Sequence, residues 1–534
     1  MKERKKSIKL NYIYNVVYQL FLIIVPLVTT PYVSRVLTPD GVGKYSFSFS
    51  IITYFSIVAS LGFNYYAQRE IAKYQGDKSK QSKVFWEIVI CRLIPTFISL
   101  AINLSLCLFH VYQDYNTLMF IFCINIVAIA FDIAFFFQGN EDFEKIVLRN
   151  VIIKSISIIL IFVFVKNPSH LWIYALINSA MLIFSNISLW GYLPKYLVKV
   201  TGLQPLKHLK DAFILFLPTI ATSVYVILDK TLIGLLVPGT YTEIEEGVEV
   251  IKKYSDLENG YYEQSEKIVK MVMVVITCIG TVMIPRNTHE YALGNYDKVK
   301  ENLKISSRIV FLLGIPLVLG IIAVASNMVP WFFGEGYEKC ILLMSVLAPL
   351  ILIIGFSNVF GVQYLIPTGK NFQFTLGVLA GAITNLGLNF LLIPKLWSLG
   401  AAIATISGEL VVTIVMAIMV RKTINFLKII LDSWRYFIAG GAMFLVLFFI
   451  NGYFESSIIN TILLVLIGIA IYFAILLILR DKVMFLGINK VKAKLFKKKV
   501  ISSNNESNTE VQNNTELFIN NSDENEISNE DIQE

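Results

Sequence analysis

Apolar residues fall along this chain in blocks of about 20, separated by short polar connections, and about 20 helical residues cross the hydrocarbon core of a bilayer. Fourteen blocks are predicted as spans, at approximately residues 12–36, 43–66, 84–109, 115–138, 147–166, 170–193, 211–237, 266–290, 307–333, 339–366, 373–394, 400–420, 434–452 and 457–479. The fold class this implies is an all-α membrane protein. Soluble helices carry a narrower apolar stripe, and one soluble core could not hide this much apolar surface.

The polar connections give the orientation. An even number of spans places both termini on one side, and Lys and Arg collect on the cytoplasmic side. The N-terminus carries Lys2, Arg4, Lys5, Lys6 and Lys9, and the connection after the second span carries Arg69, Lys73, Lys78, Lys80 and Lys83. Alternate connections continue the series with Lys195, Lys199, Lys207 and Lys210, then Lys298, Lys300, Lys304 and Arg308, then Arg421, Lys422 and Lys428. Both termini are therefore expected in the cytoplasm. The intervening connections are short or acidic, and the longest, residues 238–265, is expected to be an outward acidic loop. The apolar run after MKERKKSIKL lacks a small-residue cleavage site, so it is read as an uncleaved first span. Beyond the last span, the basic stretch 481–499 suits an anionic leaflet, and the Asn/Glu/Ser-rich tail 500–534 is expected to be disordered.

Composition agrees with this pattern. Of 534 residues 56% are hydrophobic and 16% charged, with a mean hydropathy of +0.65. The net charge of +8 reflects the cytoplasmic loops and not a nucleic-acid surface. Cys91, Cys107, Cys123, Cys278 and Cys340 sit in or beside apolar blocks without metal-type spacing, and His110, His170, His208 and His289 lie far apart. Neither a zinc site nor a His-based acid–base centre is indicated, and no cofactor is expected.

An internal repeat adds architecture. The first span reads PLVTTPYVSRVL (Pro26 to Leu37) and is followed by GVGKYSFSFSIITY (Gly41 to Tyr54). In the seventh the order recurs as LPTIATSVYVILDKTLIG (Leu217 to Gly234), then the acidic stretch, then NGYYEQSEKIVKMV (Asn259 to Val272). FFQGNEDF (Phe136 to Phe143) and YLIPTGKNF (Tyr364 to Phe372) rhyme in the same way. Two matches six helices apart favour two parallel six-helix halves, residues 1–200 and 201–425, with two added spans at 426–480. Such a build suits a substrate cavity between the halves.

The chain resembles the multidrug/oligosaccharidyl-lipid/polysaccharide flippase superfamily, and within it the Wzx-type polysaccharide flippases of bacteria. The residues that carry the resemblance are PLVTTPYVSRVLTPDGVGKY in the first span, QGNEDF at Gln138 to Phe143, LDKTLIG at Leu228 to Gly234 and NGYYEQSEKI at Asn259 to Ile268. GVQYLIPTGK at Gly361 to Lys370 and NLGLNFLLIPKLWSLGAAIATISGE from Asn385 to Glu409 extend it, so that it covers about residues 10 to 480. The stretch from Val237 to Glu266 is longer than the usual connection. The resemblance implies a carrier in the bacterial inner membrane that moves a polyprenyl-pyrophosphate-linked oligosaccharide repeat unit to the outer leaflet, for capsule, exopolysaccharide or O-antigen assembly. Its implied partners are that lipid-linked oligosaccharide, the bilayer, and polysaccharide polymerase and chain-length machinery. A peptidoglycan-precursor flippase or a multidrug extruder of the same superfamily remains open, as does a membrane glycan polymerase or ligase.

Charges inside spans are costly in lipid and are candidates for the cavity wall. Arg35, Lys230, Arg92 and Arg286 are the candidate cations, expected to present positive charge to the pyrophosphate. Asp132, Asp229 and Glu409 are candidates for gating or structural charge, and Arg92 and Asp132 are placed to pair with each other. Pro26, Pro31, Pro218, Pro316 and Pro367 are candidate bending points.

Overall fold

The structure, a computed structural model, describes residues 8–245 and 248–481. The N-terminal cations Lys2, Arg4, Lys5 and Lys6, the basic stretch beyond Asp481 and the polar tail lie outside the described residues. Helices α1 (Ile8–Ser60) and α2 (Phe63–Lys73) hold the first two apolar blocks, and α3 (Lys78–Leu108) holds the third. The fourth is divided between α4 (Asn116–Ala130) and α5 (Ala134–Gly139), followed by α6 (Phe143–Phe164) and α7 (Leu171–Ser188). Helix α8 (Leu209–Leu236) leads into strands β1 (Thr240–Glu245) and β2 (Val248–Lys253), then α9 (Tyr254–Ala292) and α10 (Tyr296–Phe333). The tenth block comprises α11 (Lys339–Leu347), α12 (Leu350–Ser357) and a π-helical turn at Asn358–Leu365. Helices α13 (Asn371–Leu396), α14 (Ser398–Val420), the short α15 (Phe426–Asp432), α16 (Trp434–Asn451) and α17 (Ile458–Ile478) complete the chain.

The protein is thus an all-α membrane protein apart from one hairpin. Among the described residues twelve helical stretches are long and apolar enough to span a membrane, where fourteen were expected. The first two blocks run together as one stretch, Ile24–Lys73, and α8, although 28 residues long, is not one of the twelve. Within α1, Thr38 leaves helical geometry (φ 59, ψ 168) and divides the helix into two arms. Pro39 follows it, and a residue before proline is disfavoured in the α region. At the start of α3, the Asp77 carboxylate accepts from the Lys80 N–H at 3.0 Å, and that bond holds its carboxyl below the usual carboxylate range.

Residues 238–265, expected as a loop, are largely regular. β1 pairs antiparallel with β2 from Thr240↔Lys253 to Glu245↔Val248, and α9 begins at Tyr254, well before the expected 266. Hydropathy misses that start because this turn of helix is polar. Pairs such as Glu263–Lys267 and Glu266–Lys270, four residues apart, support a helix without apolar content.

Buried apolar side chains gather in distinct clusters. Phe63, Phe85, Phe136 and Leu193 form one, and Phe47, Met119 and Phe122 another, all within α1 to α7 and the turn that follows. A larger cluster joins α8 to α17 through residues such as Val310, Leu347, Val359, Met416 and Met443. Helices α1 and α9 lie against each other between them. The last two helices pack behind α10, where the Tyr472 hydroxyl donates to the Leu312 carbonyl at 2.8 Å and Asn451 to that of Ala323 at 3.0 Å. Large apolar side chains such as Phe97, Ile383, Phe448 and Ile459 stay exposed, as a lipid-facing surface requires.

Candidate functional site

A cavity of about 280 Å³ opens between the two sets of helices. Tyr45, Ser46, Phe49 and Thr53 enter it from the second arm of α1, at the spacing of one helical face. Tyr174 of α7 adds a second tyrosine, its ring 4.9 Å from that of Tyr45 in an edge-on contact. The opposite wall comes from Lys230 of α8 and from Glu263, Lys267 and Lys270 of α9. One wall is therefore aromatic and the other ionic.

The ionic wall is a network. Lys230 Nζ lies 2.5 Å from Glu263 Oε2 and 3.2 Å from Glu266 Oε2. Glu263 also accepts from the Ser46 hydroxyl at 3.1 Å across the cavity, and it pairs with Lys267 at 3.4 Å. Lys270 pairs with Glu266 at 2.6 Å. Three lysines against two carboxylates leave one net positive charge. In a site of low dielectric that surplus attracts an anion far more strongly than it would in water.

Successive helical residues point about 100° apart, so the adjacent Asp229 and Lys230 do different things. While Lys230 faces the cavity, Asp229 turns into the packing of α8, α9, α13 and α14, with 4% of its surface exposed. Its carboxylate accepts from Thr405 at 2.5 Å, Asn389 at 2.6 Å, Tyr262 at 2.7 Å and Asn385 at 3.2 Å. Four donors around one buried carboxylate offset much of its desolvation cost.

The other expected charges do not converge on this cavity. Arg35 is exposed and donates to the main-chain carbonyl of Trp331 in α10. Arg92 is fully buried, donates to the main-chain carbonyl of Asp132 and stands 5.1 Å from the Phe135 ring centroid. The Asp132 carboxylate meanwhile accepts from the Ala134 N–H at 2.9 Å, so each half of the expected pair has a main-chain partner at the break between α4 and α5. Arg286 lies exposed on the last turns of α9, and Glu409 is half-buried in α14. Of the four candidate cations, Lys230 lines the cavity.

Sequence reasoning missed Glu263, Glu266, Lys267 and Lys270, because the first two were assigned to a loop or its edge. The signal for them was the Glu-to-Lys spacing of four residues, which marks a helix face. Tyr45 and Tyr174 carried no signal that separates them from interfacial aromatics.

A cavity between two packed helical sets, with twelve stretches among the described residues long and apolar enough to cross a membrane, fits the class of multi-pass membrane transporters. The sequence profile of the polysaccharide biosynthesis protein family matches residues 8–289, and the chain belongs to that family. It is 26% identical over 432 residues to a protein of Escherichia coli (strain K12) named as an O-antigen transporter, covering 79% of this chain and 99% of that one. A Shigella dysenteriae protein of the same name is 23% identical over 426 residues, covering 77% and 98%. Both relatives are named as transporters and not as enzymes. Among solved structures, the lipid II flippase MurJ in an inward closed conformation superposes with a TM-score of 0.66 at 14% identity, covering 88% of this chain and 99% of that one. An inward-facing multidrug resistance MATE family transporter of the MOP superfamily gives 0.55 at 15% identity, covering 76% and 99%. These likenesses confirm the fold of the resembled superfamily.

Proposed function

We propose that this chain flips a polyprenyl-pyrophosphate-linked oligosaccharide repeat unit from the inner to the outer leaflet of a bacterial inner membrane by alternating access. The observation that carries the reading is the lysine-rich, tyrosine-walled cavity between α1 and α9. A sugar chain and a diphosphate lose many hydrogen bonds on entering hydrocarbon, each unmet group costing several kcal/mol, so the headgroup needs a polar path while the tail stays in lipid. Lys230, Lys267 and Lys270 would meet the diphosphate, with charge-assisted hydrogen bonds of about 1.5 to 3 kcal/mol each. Tyr45 and Tyr174 would offer ring faces and hydroxyls to a sugar. Residues 1–200 and 201–425 act as the two moving halves, both termini lie in the cytoplasm, and the hairpin end faces outward.

Named O-antigen transporters among the relatives favour this cargo over a peptidoglycan precursor or a drug. A drug extruder for organic cations would place net negative charge in the cavity, opposite to the balance of the lysines and carboxylates here. Reconstitution tests the reading. Liposomes holding the purified full chain should move a fluorescent polyprenyl-diphosphate oligosaccharide between leaflets faster than empty liposomes, and a cationic dye should not compete well. Equal rates with and without protein would overturn it.

A further inference from the structure

At the hairpin end, α1 and α9 touch backbone to backbone through a reciprocal pair of glycines. A Cβ on Gly43 would fall inside the carbonyl oxygen of Asp256, and a Cβ on Gly260 inside that of Pro39. Gly43 sits three residues after Asp40 and Gly260 four after Asp256, in the GVGKY and NGYY segments that the internal repeat aligns. The crossing thus joins equivalent points of the two halves.

The hairpin fastens the same place. Lys252 of β2 pairs with Asp40 at 3.2 Å, and Lys253 pairs with Asp114, in the connection between α3 and α4, at 2.9 Å. The Tyr115 hydroxyl donates to Asp256 at 2.9 Å, and Lys253 lies 4.8 Å from the centroid of the Tyr115 ring. Gln264 donates to the Ser34 hydroxyl at 3.0 Å and Tyr337 to the Ser34 carbonyl at 3.2 Å. Every one of these bonds joins α1 to α4 with the β2–α11 region, and β2 runs directly into α9. The hairpin is thus tied on both sides: Lys252 also pairs with Glu243 of β1 at 2.8 Å and Tyr241 lies 5.1 Å from the Tyr254 ring of α9, while Lys252 and Lys253 reach Asp40 and Asp114 in the opposite set of helices.

We propose that the β1–β2 hairpin is a strap that holds shut a gate made by the Gly43–Gly260 crossing, so that the structure is the state closed at the hairpin end. The gate rests on the transporter reading but not on the identity of the cargo. Opening needs Lys252 and Lys253 to leave Asp40 and Asp114 and the two helix backbones to part. The Lys252–Asp40 pair is largely shielded and the Lys253–Asp114 pair more exposed, so the first contributes more to the strap, while the glycine contact sets whether closure is sterically possible.

The test uses the full chain with its five cysteines replaced by serine or alanine and one cysteine placed at Thr53, which lines the cavity ten residues beyond Gly43. Labelling by a membrane-impermeant maleimide, added outside intact cells, reads the gate without any substrate. Gly43→Ala and Gly260→Ala should each raise labelling several-fold. Gly41→Ala should not, because its Cβ would meet only the Leu37 side chain at an ordinary 3.5 Å. Lys252→Gln with Lys253→Gln should raise labelling to a smaller extent. Unchanged labelling in both glycine variants at normal protein level, or an equal rise in Gly41→Ala, overturns the gate. Should the glycine variants fail to accumulate, Asp114→Cys with Lys253→Cys joined by a short bismaleimide decides it. The joined protein should keep labelling at background and lose transport, and transport at the unjoined rate would overturn the proposal.

Discussion

At the scale of single residues, Lys230 holds the cavity's charge balance. It stands between two carboxylates that are close to buried, so removing it leaves Glu263 and Glu266 facing each other without a shared cation. Glu263 keeps Lys267 and Ser46 and Glu266 keeps Lys270, so the cost is below that of stranding a buried charge outright. Lys230→Ala should therefore lower the melting temperature of the detergent-purified protein, with much of the loss recovered by adding Glu263→Gln; melting at the wild-type temperature would contradict the network. Lys270 is 43% exposed and pairs once, so Lys270→Ala should change stability by less than about 1 kcal/mol while slowing transport. Thermal melting and liposome flipping together separate the two effects. Asp229→Ala should destabilise as well, since it removes the acceptor shared by four donors, whereas Asn385→Ala or Thr405→Ala removes one donor and leaves the carboxylate with three, and should cost less.

At the scale of elements, the apolar blocks were legible because a bilayer imposes a length on every helix that crosses it. The kink at Thr38 falls between the first two expected blocks, and α3, α6, α7, α13, α14, α16 and α17 all overlap their expected spans. The hairpin and the first turns of α9 were not legible to hydropathy, which reads a polar helix lining a cavity as a loop. The same blindness hid half of the ionic wall, because Glu263 fell inside the stretch read as loop and Glu266 at its edge. Arg92 illustrates a different limit. Its position in α3 suggested a carboxylate partner, yet the break between α4 and α5 frees main-chain carbonyls, and the guanidinium goes to one of them. The charge swap Arg92→Asp with Asp132→Arg should accordingly fail to restore expression or melting temperature lost in Arg92→Asp, since the swap leaves the Asp132 carbonyl unmet. Restoration to the wild-type value would show that the carboxylate matters after all.

For the whole molecule, the alternation of basic connections and the hairpin's position at one end make the orientation a prediction about sides. Reporter tags at Gln75 and Leu203 should read as cytoplasmic and a tag near Glu249 as extracytoplasmic. A cytoplasmic Glu249 would invert the gate as well as the topology. Truncation after Lys499 should leave transport and protein level unchanged, because a tail so poor in apolar residues cannot line a cavity. The central claim, that the chain moves a completed lipid-linked oligosaccharide across the membrane, is tested most directly by depleting it in its own cell and asking on which face that intermediate accumulates. Complete repeat units on their polyprenyl carrier should build up on the cytoplasmic face, inaccessible to an impermeant glycan-modifying probe, while peptidoglycan synthesis continues. Repeat units that still reach the outer face at the undepleted rate would contradict the account.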